Sequence, residues 1–102
     1  MDLKIFKAFA NKKKPPKGIA PALEAMWQQA KGDWDTAHQL VQSQKNAMGY
    51  WVHAFLHRVE GDKGDATYWY QLAGKPVSTS RLDDEWKEIV ESIDLVSMKF
   101  TS

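Results

Sequence analysis

Gly32-Asp33-Trp34-Asp35-Thr36-Ala37 and Gly61-Asp62-Lys63-Gly64-Asp65-Ala66 are two versions of one phrase, each set between apolar-rich stretches. Glycine ends a helix in the left-handed region without a Cβ clash, and the aspartate after it caps the free N–H groups of the next helix. Both phrases therefore read as the corner of a helical hairpin. Their first glycines stand at positions 32 and 61, a spacing of 29, and recurrence at roughly 20 to 50 residues marks stacked supersecondary units. Ala37 and Ala66 lie one turn further on and are small enough for two antiparallel helices to approach closely. Leu40 and Val41 in the first copy, and Trp69 and Tyr70 in the second, take matching core-facing positions. One hairpin alone leaves an apolar face wet, so the two are expected to stack.

The patterns on either side fill in the helices. Pro21 suits a first turn and Leu23, Met26, Trp27 and Ala30 follow at core spacing, which predicts a helix from about Pro21 to Lys31. A second is expected from Trp34 to Ser43. A third runs from Ala47 to Glu60 with Val52, Phe55, Leu56 and Val59 as its apolar arc, and a fourth from Asp62 to Ala73, stopped by Gly74 and Pro76. Ser80-Arg81-Leu82-Asp83 has the form of a capping box, and Asp83, Asp84 and Glu85 suit the positive end of a helix dipole. Leu82, Trp86, Ile89, Ile93 and Val96 then form a stripe along one side of a fifth helix. Such a face must dock, either on the second hairpin as terminal caps do in repeat proteins, or on a second copy of the chain.

The chain has 102 residues, 43% of them hydrophobic, enough for one core and not for two. It has no cysteine, which rules out disulfides, thiolate metal sites and cysteine nucleophiles. No apolar run approaches the roughly 18 residues that span a bilayer. The net charge of +1 hides an asymmetry, because residues 1–17 carry six lysines against one aspartate. Leu3, Ile5, Phe6 and Phe9 give this stretch an apolar side, and Pro15-Pro16 separates it from the body, so residues 1–18 read as a basic amphipathic arm and 19–102 as a single all-α domain. The arm lacks the longer apolar segment of a secretory signal. Lys4, Lys7, Lys12, Lys13, Lys14 and Lys17 are its only basis for a weak membrane or polyanion contact, and no specific nucleic-acid surface is expected.

The Gly-Asp phrases, with Tyr70-Gln71-Leu72-Ala73 and Pro76 after the second, resemble the turn and second helix of tetratricopeptide or Sel1-like repeats. The Gly32-Asp33-Trp34-Asp35 and Trp51-Val52-His53-Ala54 runs are also similar to those of a group of small, uncharacterised bacterial proteins. The repeat likeness covers about half the chain, and the spacing of 29 is shorter than the roughly 34 residues of a tetratricopeptide unit. It implies two stacked antiparallel hairpins plus a C-terminal amphipathic capping helix. Carried residue by residue, it implies a concave groove lined by Met26, Gln29, Trp51, Phe55 and Arg58, where such repeats hold a partner peptide. It also puts His53 and His57 at positions usually taken by large packing residues.

His53 and His57 are four residues apart, so both rings project from one side of a helix, with Glu60 at the next turn. With His38 from the preceding helix they match the donor count of a zinc site, which takes three protein ligands when one position stays open. A helical wheel instead sets both histidines opposite the apolar arc as surface residues, the repeat register sets them in the packing, and proton transfer is a further role for such a cluster. Two functional expectations follow. The first is a cytoplasmic protein–protein interaction module, monomer or homodimer, with no catalytic activity or cofactor, whose partner is a protein or peptide held in the groove. The alternative is a metal-binding or hydrolytic site on His38, His53, His57 and Glu60, with a divalent ion such as zinc.

Overall fold

The computed structural model describes residues 20–101, with side chains through residue 93. The expected basic arm, its lysines and the Val96 side chain lie outside the described residues. Five helices make up the described chain: α1 Pro21–Ala30, α2 Trp34–Gln42, α3 Ala47–Glu60, α4 Lys63–Ala73 and α5 Leu82–Thr101. The protein is all-α.

The two Gly-Asp corners are built alike. Gly32 and Gly61 both sit at φ 89°, where a Cβ is strained. At the first corner the Gly32 N–H donates to the Gln29 carbonyl and the Asp33 N–H to the Gln28 carbonyl, both at 2.9 Å. At the second the Gly61 N–H donates to Arg58 at 3.1 Å and the Asp62 N–H to His57 at 2.9 Å. Each pair satisfies two carbonyls that a helix end otherwise leaves bare. The aspartates then start the next helix, with Asp33 accepting from the Thr36 N–H and Asp62 from the Asp65 N–H, each at 3.1 Å. The side-chain bond from Thr36 holds the Asp33 carboxyl below its ordinary pKa.

Helices α1 and α2 pack together, as do α3 and α4, and the two pairs meet through α2 and α1 against α3. Helix α5 lies on α1 and α3. Helix α3 thus touches all four of the others, and every residue from Trp51 to His57 is buried. The single apolar arc read from the helical wheel fails for this reason: α3 has no free side, and the expectation that His53 and His57 are surface residues is corrected, with exposures of 3% and 9%.

The same packing places the residues expected to line a partner groove. Met26, Trp51 and Phe55 are buried, Arg58 and Gln29 half-buried, and the surface that α1 and α3 would offer a peptide is covered by α5. The Trp86 indole donates to the Met26 carbonyl at 3.3 Å. Trp51 Nε1 donates to Glu85 Oε2 at 3.1 Å, Tyr70 Oη to the same oxygen at 2.5 Å, and Arg58 Nη1 to Glu85 Oε1 at 2.6 Å. Arg58 also donates to the Ser80 carbonyl, tying down the segment between α4 and α5. Burial and the Glu85 carboxylate push the Tyr70 pKa above its ordinary value.

Glu85 therefore departs from its expected place in a solvated acidic run. Asp83 and Asp84 are exposed, whereas Glu85 is 1% exposed and is the polar bolt of the capping helix. Ser80, expected to cap α5, has its hydroxyl at 2.9 Å from Ser78 Oγ. On the apolar stripe, Trp86, Ile89 and Ile93 are buried with Val90, while Leu82 is 39% exposed. No helix among the described residues is long and apolar enough to cross a membrane.

Candidate metal centre

The corner between α3 and α4, with the start of α2 beside it, gathers three imidazoles. His53 and His57 come from α3, one turn apart, and their rings lie parallel at 5.0 Å between centroids. His38 comes from α2 and presents its ring nearly perpendicular to both, at 4.6 Å from His53 and 5.5 Å from His57. One ligating nitrogen from each of the three lies within 4.8 Å of the others. Three nitrogens about 2.1 Å from one ion at tetrahedral angles are about 3.4 Å apart, so side-chain rotations that close the set by about 1.4 Å or less bring all three into coordination.

Two tryptophans hold the rings in place. Trp34, at the start of α2, donates its indole N–H to the Leu56 carbonyl at 2.6 Å, which pins α2 to α3. His38, four residues on, stacks on Trp34 at 4.8 Å with 10° between the planes. Trp69 of α4 stacks on His53 at 3.7 Å and 11°. Stacking restrains the planes of His38 and His53, so an ion draws the three nitrogens together by tilting these rings within their aromatic contacts.

The protonation states suit ligation. Burial, with the neighbouring His38 and His57 adding to it, pushes the His53 pKa down to about 4. Burial first, then His57, also lowers that of His38. Both rings are therefore neutral at pH 7, the protonation state that a metal ligand requires. His53 Nδ1 is buried without a hydrogen-bond partner, a condition that costs on the order of 1–3 kcal/mol for a buried polar group.

Glu60 does not join the three imidazoles as a fourth ligand. Its Oε1 lies 2.9 Å from His57 Nδ1, one turn back on α3. A carboxylate on that nitrogen takes up Nδ1–H and leaves Nε2 of His57 as the donor atom, the arrangement by which outer partners orient metal-binding histidines. A second group of donors, His57, Glu60 and Asp62, comes equally close together. One carboxylate oxygen of each acid in it is already bonded, Glu60 Oε1 to His57 and Asp62 Oδ1 to the Asp65 N–H at the start of α4.

The sequence supplied the His53–His57 pair and named His38 as a third donor, but it did not point to Trp34 and Trp69 as the walls. The available signal was Trp34 four residues before His38, a spacing that stacks rings along a helix. Glu85 was missed although it lies three residues after Leu82 and one before Trp86, on the stripe itself. Comparison of the chain with protein-family models, with curated proteins and with solved structures gives no match in any of the three.

Proposed function

We propose that this protein is a small helical metal-binding module that holds one divalent ion of the imidazole-preferring kind, zinc foremost, on His38, His53 and His57. The observation that carries the reading is the clustering of three imidazoles with a ligating nitrogen of each within 4.8 Å of the others, one ring of which, His53, also has a buried Nδ1 without a partner. A cluster needed only for packing is served equally well by three apolar rings, with no nitrogen left unsatisfied. The soft thiolates that select other chemistry are absent from the chain, and neutral imidazole suits late first-row ions. Helix α5 packs on α1 and α3, where the groove for a peptide was expected, which favours the metal reading over the partner-binding one.

The test is a calorimetric titration of chelator-treated protein with zinc. One equivalent bound per chain, and none in a His53→Ala/His57→Ala variant that still shows a cooperative melt, supports the reading. Heat that is absent in the wild-type chain, or unchanged in the folded variant, overturns it and makes the cluster an aromatic element of the core.

A further inference from the structure

We infer that the ion at this centre keeps one coordination position for a small donor from solution, entered past His38, so that the site is a Lewis-acid centre rather than a structural staple. The inference rests on the metal-binding reading above. Structural zinc sites are closed by four protein ligands, whereas reactive ones have three and leave the fourth to water or substrate. The donor count among the described residues is three, and neither Glu60 nor Asp62 belongs to the three-imidazole set. The carboxylate closest in sequence and space to the set, Glu60, is held by His57, and Asp62 caps α4. The indoles of Trp34 and Trp69 beside the rings offer an N–H and no lone pair, and that of Trp34 is already spent on the Leu56 carbonyl.

Access is one-sided. His53 and His57 are buried, while His38 is half-exposed. Asp35, one turn before His38 on α2, and Glu60, bonded to His57, are both exposed, which places an acidic rim beside the half-exposed ring. That rim draws cations in and disfavours large anions. With His53 and His57 buried and His53 stacked at 3.7 Å on Trp69, solvent reaches the set on the His38 side. The ligand class is therefore a compact monodentate donor, with water as the resident and azide as a usable probe. Water bound to an ion with this donor set is far more acidic than bulk water, which supplies hydroxide near neutral pH.

The experiment is a cobalt(II) titration of the chelator-treated wild-type chain followed by visible absorption, then addition of azide to the loaded protein. The expected result is a one-to-one cobalt complex whose bands move on adding azide and saturate with a single site. A complex that forms but keeps its spectrum in large excess of azide overturns the open position and leaves metal binding standing. Failure to form the complex at all overturns both. A Glu60→Gln variant separates the rim from the ligand: weaker cobalt binding with an azide response retained agrees with the inference, whereas loss of the response in loaded protein contradicts it.

Discussion

His57 and Glu60 face each other one helical turn apart, with His57 Nδ1 at 2.9 Å from Glu60 Oε1, at the point where α3 ends and the second Gly-Asp corner begins. The pair joins the architecture to the chemistry, because the corner that sets the fold also fixes which nitrogen of His57 is left for an ion. Glu60 is a positioning residue in this account. Glu60→Ala should weaken zinc binding about 10- to 100-fold, the usual cost of losing such a partner, while His57→Ala should abolish it. Competition titration against a chelator of known affinity measures both, and equal affinities for Glu60→Ala and wild type would remove the role assigned to Glu60.

The metal-free chain should lose stability as the pH falls from 6.5 toward 4. His53 has its pKa lowered to about 4 in the fold against an ordinary 6.5, so between these values the unfolded chain binds more protons than the folded one. Stability then rises with pH across that window and is lost as His53 is forced to charge. The upper bound of the effect is about 3 kcal/mol, at 1.36 kcal/mol per pKa unit. Urea unfolding at a series of pH values checks it, and His53→Leu should flatten the profile between pH 4 and 6.5. A wild-type profile already flat there would contradict the buried neutral ring.

Removing Arg58 should be far more damaging than its half-exposed position suggests. Arg58→Met leaves the carboxylate of Glu85, 1% exposed, without its cation, and breaking a buried pair costs about 3–5 kcal/mol. Replacing both partners, Arg58→Met with Glu85→Leu, should cost less than the sum of the two single changes by more than about 0.5 kcal/mol, the scale of coupling for side chains in contact. Denaturant midpoints give the comparison. Additive losses would mean that the two side chains do not act as a pair and that α5 is held by its apolar face alone.

The second corner should respond to single substitutions as a turn does. Gly61→Ala puts a Cβ at φ 89° and should cost roughly 1–2 kcal/mol. Asp62→Ala removes the acceptor for the Asp65 N–H and should cost about 1 kcal/mol. Each kcal/mol moves the midpoint of a domain this size by about 4–8 °C, so thermal melts resolve both. An unchanged midpoint for Gly61→Ala would contradict the left-handed helix end.

Much of the fold was legible in the sequence because its signals are local. Glycine at a helix end and aspartate after it act within five residues, so the corners and the helix limits follow from spacing, and α3 was read to the residue. The small positions Ala37 and Ala66 are buried as the repeat spacing demands. What the sequence hid depends on which helix faces which. A helical wheel assumes one wet side, and α3 has none, so the histidines could not be placed from α3 alone. Convergence of His38 with His53 and His57 is set by the packing of α2 on α3, which no spacing within one helix encodes. Met26, Gln29, Trp51, Phe55 and Arg58, expected to line a groove, lie on α1 and α3, and the helix that packs on those two begins more than twenty residues further along the chain. Glu85 follows two exposed aspartates, and its charge masks its place on the apolar stripe.

The claim on which the account turns is that His38, His53 and His57 bind one ion together. The most direct measurement is a long-range proton–nitrogen correlation spectrum of the histidine side chains during zinc titration of chelator-treated, nitrogen-15-labelled protein. The account predicts that one ring nitrogen in each of the three histidines moves to the metal-bound range together and stops at one equivalent, with His57 still protonated at Nδ1 against Glu60. Fewer than three rings responding, or a response that continues past one equivalent, would contradict it.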